Sequence, residues 1–200
     1  MWQYDCVEFL QSLFEHFWGE HSIPSTLNES VFGGLFQESF LCECGKKETN
    51  QIQRLPDIIS VSINGETAQR CLDSYFSIEQ IERKCSDCQS PKSLKSVEII
   101  VPPSTLILHL KRFTYDEMTK ATKKLHVPVS CPLALSFKNE NMYGLNAVIN
   151  HIGESSSSGH YNIMLADKLG SRFILVDDLE ISYNAVLNDM ISYVAVYTRQ

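Results

Sequence analysis

Val101-Pro-Pro-Ser-Thr-Leu-Ile-Leu-His-Leu-Lys111-Arg112-Phe113 carries the clearest structural pattern in this 200-residue chain. Its two prolines cannot donate to a strand ladder, so they separate one strand from the next. In the second run, residues 105–113, Leu106, Leu108 and Leu110 share one face while His109 and Lys111 share the other, the alternation of a strand. Upstream, residues 97–101 form a further strand. Ile58, Ile59, Val61 and Ile63 form another, closed by the Asn64-Gly65 turn, and residues 32–40 read as a turn and a short strand. Downstream, strands are predicted at 145–151, 160–166, 173–176 and 192–198. Helices are predicted at 5–17, at 71–81 and, briefly, at 184–189. In the first, Cys6, Phe9, Leu10, Leu13, Phe14 and Phe17 form a core-facing stripe; in the second, Leu72, Tyr75, Phe76 and Glu79 fall at helical spacings. The proline-led stretch 24–29 breaks the first helix, and the serine-rich residues 154–159 read as a mobile loop. No repeat of about 20 to 50 residues is visible, which excludes a solenoid or propeller. The pattern predicts an α+β fold: a helix in front, a cysteine-bearing insertion in the middle, an antiparallel sheet behind.

The chain is 44% apolar and 20% charged, and none of its apolar runs approaches the roughly 18 to 20 residues of a membrane span. Met1 is not followed by a basic and then an apolar segment, and Asp5 and Glu8 stand early, so a secreted protein is not expected. These features predict an intracellular protein of cytoplasm or nucleus with no membrane partner. The net charge of −7 argues against nucleic acid, whose binders need a positive footprint. Residues 1–90 carry 14 acidic and 6 basic side chains, residues 91–200 carry 10 and 11. The acidic front half is either a solvated face or a surface for a basic partner.

Seven cysteines, an odd number, speak against a disulfide framework. Four fall in two tight pairs, Cys42-Glu-Cys44 and Cys85-Ser-Asp-Cys88. Two such turns together supply the four soft ligands of a structural zinc with no open position. Free loop thiols are the alternative, kept open by the one-residue spacing of the first pair. A redox pair is disfavoured because Cys85 does not stand between an apolar strand and a helix. Among the histidines, His160 begins a strand just after Gly159, and Asp177-Asp178 end the apolar run 173–176. If those strands are hairpin neighbours, a carboxylate can orient the imidazole as a general base. A turn-forming Asp pair beside an incidental His is the other reading.

Further motifs carry a resemblance. Gln3-Tyr-Asp5-Cys-Val-Glu8-Phe9-Leu10 resembles the glutamine-containing helix motif of the ubiquitin-specific proteases, and the two cysteine pairs look like that family's zinc-ribbon fingers. The stretch 101–113 is similar to the family's strand ending in Leu-Lys-Arg-Phe. The segments 143–153, Gly159-His160-Tyr161, Phe173-Ile-Leu-Val-Asp177-Asp178 and Tyr193-Val-Ala-Val-Tyr197 match its C-terminal half in order.

The resemblance implies a papain-like cysteine protease fold with a thumb helix at 1–20, zinc-ribbon fingers at 32–100 and an antiparallel palm at 101–200. It implies His160 as general base, Asp177 as third triad member and Asp178 as a supporting neighbour. Cys42, Cys44, Cys85 and Cys88 would hold zinc. The loops 113–123 and 154–159, with Phe113, Ser158, Gly159 and Tyr161, would flank the tail of ubiquitin in a channel that admits only small residues. The family's nucleophilic Cys and an oxyanion-stabilising Asn lie in a box ahead of the glutamine-containing motif, and that box is not among these residues. The thumb is therefore expected to be largely missing and the nucleophile absent. Cys6, Cys71 and Cys131 read as packing or loop thiols. Two versions follow: a portion of an active deubiquitinase, or a catalytically inactive ubiquitin-binding remnant. From a different class, a zinc-ribbon adaptor built on residues 42–88 is a third.

Overall fold

The computed structural model describes residues 4–18, 31–138, 141–167 and 172–200. The first helix, α1 (Cys6–Trp18), starts where Asp5 caps it, Asp5 Oδ1 accepting from the Val7 amide at 2.7 Å. The second, α2 (Ala68–Tyr75), starts at Thr67, whose hydroxyl accepts from the Arg70 amide, and buries Ala68, Cys71 and Leu72. The strands, in chain order, are β1 (Leu35–Leu41), β2 (Lys47–Thr49), β3 (Gln53–Arg54), β4 (Ile58–Ser62), β5 (Glu79–Glu82), β6 (Lys92–Val101), β7 (Thr105–Lys111), β8 (Phe113–Asp116) and β9 (Ala121–Lys124). There follow β10 (Ala134–Phe137), β11 (Asn141–Ser155), β12 (Ser158–Ala166), β13 (Phe173–Asp177), β14 (Glu180–Ala185) and β15 (Ser192–Arg199).

They form three sheets. A small sheet runs β2-β1-β6-β5 with β3 also on β1, and carries the paired cysteines at its ends. A large sheet runs β14-β13-β12-β11-β15-β7-β4 with β10 on β11, and β8-β9 is a separate hairpin. Among the described strands all pairings are antiparallel except β4 with β7, so the predicted antiparallel sheet acquires one parallel edge. That edge, residues 58–62, comes from within the stretch expected to form fingers, yet it pairs in the large sheet.

The alternation that opened the reading is explained by β7's central place. Leu106, Leu108 and Leu110 are at most 1% exposed and enter the main core with Val61, Leu72, Leu135, Tyr143 and Tyr197. Burying each such leucine contributes about 1.5–3 kcal/mol. Ile107, on the other face, joins Ile58, Tyr193, Val194 and Val7 in a second cluster against which Cys6, Leu10 and Phe14 of α1 pack. The stripe predicted for α1 is thus partly displaced: among its described side chains Val7 is the most buried, and Phe9 is 62% exposed. The side chain of Phe17 and the helix-breaking stretch 24–29 lie outside the described residues.

Three predicted elements differ. The helix expected over 71–81 begins earlier and ends at Tyr75, because Thr67 supplies the cap and residues 79–82 pair with β6 instead. There the Lys95 ammonium bridges Glu38 and Glu79 across the ladder. No helix forms at 184–189: β14 pairs with β13 and Asn184 takes a left-handed φ of 57° that interrupts a helix. The loop expected at 154–159 is the tight end of a hairpin, with Ser155 opposite Ser158. Among the described residues, no helix is long and apolar enough to cross a membrane.

Candidate active site and metal centre

Both cysteine pairs sit in tight turns at the ends of small-sheet strands. In the first, the Gly45 amide donates to the Cys42 carbonyl at 2.9 Å, and Gly45 has a φ of 88°. In the second, the Gln89 amide donates to the Cys85 carbonyl at 3.2 Å, and Gln89 has a φ of 62°. A left-handed residue directly after the second cysteine turns each chain back, so a one-residue and a two-residue spacing produce equivalent knuckles. The turns face each other. Cys42 Sγ lies 3.4 Å from Cys88 Sγ and Cys44 Sγ 3.7 Å from Cys85 Sγ, and all four sulfurs are within 4.8 Å of one another. A tetrahedral ion with metal–sulfur bonds of about 2.3 Å needs sulfurs about 3.8 Å apart. The four residues therefore fit a four-coordinate, closed metal centre. Backbone amides aimed at Cys85 Sγ pull its thiol down to about 7, towards the thiolate a metal takes. Around the knuckles, Lys46 pairs with Asp87, Arg83 pairs with Glu48, and the Arg83 guanidinium lies 3.9 Å from the centre of the Phe40 ring.

The second constellation is on the large sheet. Adjacent strands β12 and β13 bring His160 and Asp177 together across 17 residues, and His160 Nε2 is hydrogen-bonded to Asp177 Oδ1. The other carboxylate oxygen, Oδ2, accepts from Asn162 Nδ2 at 3.1 Å. The Asp177 hydrogen bond raises the imidazole above its ordinary value against a smaller desolvation effect, with Asp177 and Asp178 charges adding to the rise. Asp177 itself is held below the ordinary carboxylate range by His160 first and Asn162 second. Because the carboxylate accepts a hydrogen bond from Nε2–H, the neutral ring presents Nδ1 with its lone pair free. Asp178, exposed at the tip of the β13–β14 turn with a φ of 51°, acts on the ring by charge alone.

The neighbourhood of His160 is shaped by two glycines. A Cβ on Gly159 would lie 2.4 Å from His151 Nε2, and Gly153 has a φ of 131° that side chains rarely adopt. Buried His151 stands beneath the hairpin end, and Lys124 Nζ reaches it from the β8–β9 hairpin. That ammonium is 3.2 Å from His151 Nδ1 and donates to the carbonyls of His151 at 2.9 Å and Gly153 at 2.6 Å. Phe113 packs edge-on against His151 at 5.3 Å. Lys124, one residue past the first stretch read as a tail-flanking loop, thereby ties its hairpin to Gly153, one residue before the second. Ser158 is exposed at the hairpin end, whereas the Tyr161 hydroxyl is drawn to Asp5 Oδ2 at 3.2 Å, which Tyr193 also reaches at 2.6 Å.

None of the seven cysteines hydrogen-bonds His160 among the described residues. Cys6, beside Asp5 and Tyr161, has its thiol pushed up to about 12 by burial and by the Asp5 charge. Cys131, at 4% exposure, is likewise raised to about 12 by burial, and Cys71 is buried with its thiol directed at the Gly65 carbonyl. Held so far above neutrality, the Cys6 and Cys131 thiols remain protonated and inert.

Asn162, Asn150, Lys124 and the partners of Arg112 escape the sequence reading. Parity could have flagged the asparagines, since Asn162 stands on the same face of its strand as His160 and the buried Met164. Arg112, named only as part of a motif, is fully buried and donates to the carbonyls of Ser192, Leu125, Val127 and Asp189 at 2.5 to 3.3 Å.

With this geometry in hand, comparison with known proteins is direct. The family model "Ubiquitin carboxyl-terminal hydrolase" matches residues 1–197. The Schizosaccharomyces pombe protein named "Probable ubiquitin carboxyl-terminal hydrolase 16" is 29% identical over 212 residues, covering 100% of this chain and 45% of that protein. Ubiquitin carboxyl-terminal hydrolase 19 of Arabidopsis thaliana is 28% identical over 215 residues, covering 96% of this chain and 32% of its own length. Among solved structures, the SAGA DUB module of Ubp8, Sgf11, Sus1 and Sgf73 bound to monoubiquitin superposes with a TM-score of 0.83 at 25% identity, over 100% of this chain and 49% of that one. The chain thus spans half or less of the length of these relatives. From the match over 197 residues and the shared α+β fold, the chain belongs to the ubiquitin carboxyl-terminal hydrolase family.

Proposed function

We propose that these 200 residues carry the base and orienting carboxylate of a thiol-dependent deubiquitinase, with the attacking thiol contributed from outside them. The observation that carries this reading is the His160 Nε2 to Asp177 hydrogen bond, which leaves Nδ1 free as a base. In the complete enzyme, Nδ1 takes the proton of a cysteine thiol, and the resulting imidazolium is stabilised by Asp177. The thiolate attacks the isopeptide carbonyl of a ubiquitin conjugate, and His160 returns its proton to the departing lysine amine. A water molecule, deprotonated by the same nitrogen, then cleaves the thioester and frees ubiquitin. Asp178 favours the imidazolium by its charge.

Phe113, Ser158 and Gly159 flank the ubiquitin tail, and Tyr161 supports them from behind through Asp5. The close approach at Gly159 suits a channel that passes only a backbone with small side chains. In this reading residues 1–20 belong to a thumb, 32–100 to fingers and 101–200 to a palm. The ion held by Cys42, Cys44, Cys85 and Cys88 is zinc, the metal that four thiolates at tetrahedral spacing favour, and its role is structural. The acidic front half complements a basic partner surface, and seven unpaired thiols suit a reducing compartment of the cell interior.

The raised thiols of Cys6 and Cys131 and the burial of Cys71 favour a second reading for the isolated chain, ubiquitin binding without hydrolysis. Calorimetric titration with ubiquitin, beside hydrolysis of a ubiquitin–fluorophore conjugate by the longer protein, separates the two. Binding by the chain and loss of hydrolysis on His160→Gln in the longer protein are expected. Unchanged hydrolysis after that substitution would overturn the assignment of the base.

A further inference from the structure

His160 and Asp177 are the exposed end of a longer polar string that runs into the core. Asn150 on β11 and Asn162 on β12 are direct cross-strand partners, 3% and 9% exposed. Asn150 Nδ2 donates to Asn162 Oδ1 at 2.9 Å, and Asn162 Nδ2 donates to Asp177 Oδ2 at 3.1 Å. The direction of this string follows from chemistry. An ionised carboxylate only accepts, so Asn162 must turn its NH2 to Asp177, which leaves its carbonyl facing β11. That carbonyl can only accept, so Asn150 in turn must present its own NH2. The consequence is visible at the far end: Asn150 Oδ1 is buried with no hydrogen-bond partner among the described residues. Leaving such an atom unsatisfied costs about 1–3 kcal/mol. An apolar residue at 150 would avoid that cost but lose the bond that orients Asn162.

We infer that Asn162, oriented by Asn150, is a positioning residue that locks the Asp177 carboxylate in the rotamer that holds His160 in its Nε2–H form. Asp177 is only partly shielded, its side chain 33% exposed, and water competes for its oxygens. With Oδ2 anchored by Asn162, the remaining oxygen, Oδ1, is the one aimed at the ring, and the ring's free nitrogen points away from the sheet's carboxylate. The inference rests on the proposed roles of His160 and Asp177 and deepens them. The charged groups acting on His160 are Asp177 and Asp178; the single asparagine variants alter neither, and Asp177 is removed only in the background that serves as their control.

The test is side-chain NMR of the whole 200-residue chain. In the wild type, the Asn162 Nδ2 protons should report the same midpoint as the His160 ring, because both sense Asp177. In Asn162→Val, which keeps a branched strand former and removes the donor, the His160 midpoint should fall and the Nε2–H tautomer should lose population. Asn162→Thr, whose hydroxyl can still donate, should recover part of the effect, and Asn150→Val should move it less in the same direction. In an Asp177→Ala background, Asn162→Val should change nothing further. In the longer protein, Asn162→Val should lower kcat on the order of tenfold with KM little changed.

An unchanged His160 midpoint in Asn162→Val, or an equal shift in the Asp177→Ala background, would overturn the inference. If the variant does not fold, the wild-type measurement decides, and Asn162 protons that ignore the His160 titration overturn it equally. Failure of the relay leaves the role of His160 in hydrolysis standing. Conversely, if His160→Gln spares hydrolysis, the relay is still measurable by the same titration.

Discussion

Four thiols in the small sheet converge within 4.8 Å of one another and complete a coordination sphere from this chain alone. In the large sheet, His160 has its carboxylate and, behind it, two asparagines, yet none of the seven cysteines stands at its free nitrogen. One region is chemically closed and the other chemically open. The closed centre is assembled from short turns whose geometry depends on a left-handed residue next to each pair. The open one is assembled from two neighbouring strands, and under the proposed function it holds only half of the reacting groups. A structural centre needs all its ligands fixed at once, whereas a catalytic centre can draw its parts from different segments, provided each is held rigidly where it is.

Removing a ligand from the closed centre should have the largest effect. Cys85→Ser, or chelation of the metal, is expected to release zinc and melt the small sheet while the large sheet persists. Zinc content by elemental analysis and hydrogen exchange strand by strand check this; retained protection in β1 and β6 without metal would break the contrast. Next comes Arg112→Met. Its guanidinium satisfies four carbonyls at the junction of β7, residues 125–127 and residues 189–192, and their loss should cost at least about 3 kcal/mol in urea unfolding.

Gly159→Ala should be milder, roughly 1–3 kcal/mol, because the new methyl meets the His151 ring and the Ile152 carbonyl. Its effect should concentrate on the hairpin carrying His160, which chemical shifts of β11 and β12 would register. The smallest effect on stability belongs to the open centre. His160 is raised on folding, so its pairing with Asp177 contributes below the unfolded value of 6.5 and fades as pH rises through the higher folded value. Asp177 is lowered, so its share is present above 3.8 and fades as pH falls through the lower folded value. The stability difference between wild type and Asp177→Asn should therefore be greatest between about pH 4 and 6.5. A difference that does not vary with pH would show that the pair is not formed in solution.

The same contrast governs how much could be read from sequence. The cysteine pairs are close in sequence and chemically distinctive, so their convergence was legible, apart from the altered spacing that Gly45 accommodates. His160 and Asp177 were legible as strand ends, because hairpin neighbours juxtapose such positions. What could not be read depends on tertiary pairing: β5 replacing the end of a predicted helix, β14 replacing a predicted short one, and β4 joining the large sheet in parallel. Asn150 and Asn162 carry no local signal beyond strand parity, and Lys124 carries none. Their roles arise only when strands distant in sequence set an amide or ammonium beside a particular acceptor.

The open centre is tested most directly by exposing the purified 200-residue chain to ubiquitin bearing a C-terminal electrophile and weighing the product by mass spectrometry. No covalent adduct is expected, at any pH at which the chain remains folded, because Cys6 and Cys131 are held protonated, Cys71 is buried, and the other four thiols face one another in the proposed metal centre. An adduct that forms on one of these cysteines and disappears with His160→Gln would contradict it, placing a complete nucleophile and base within these residues.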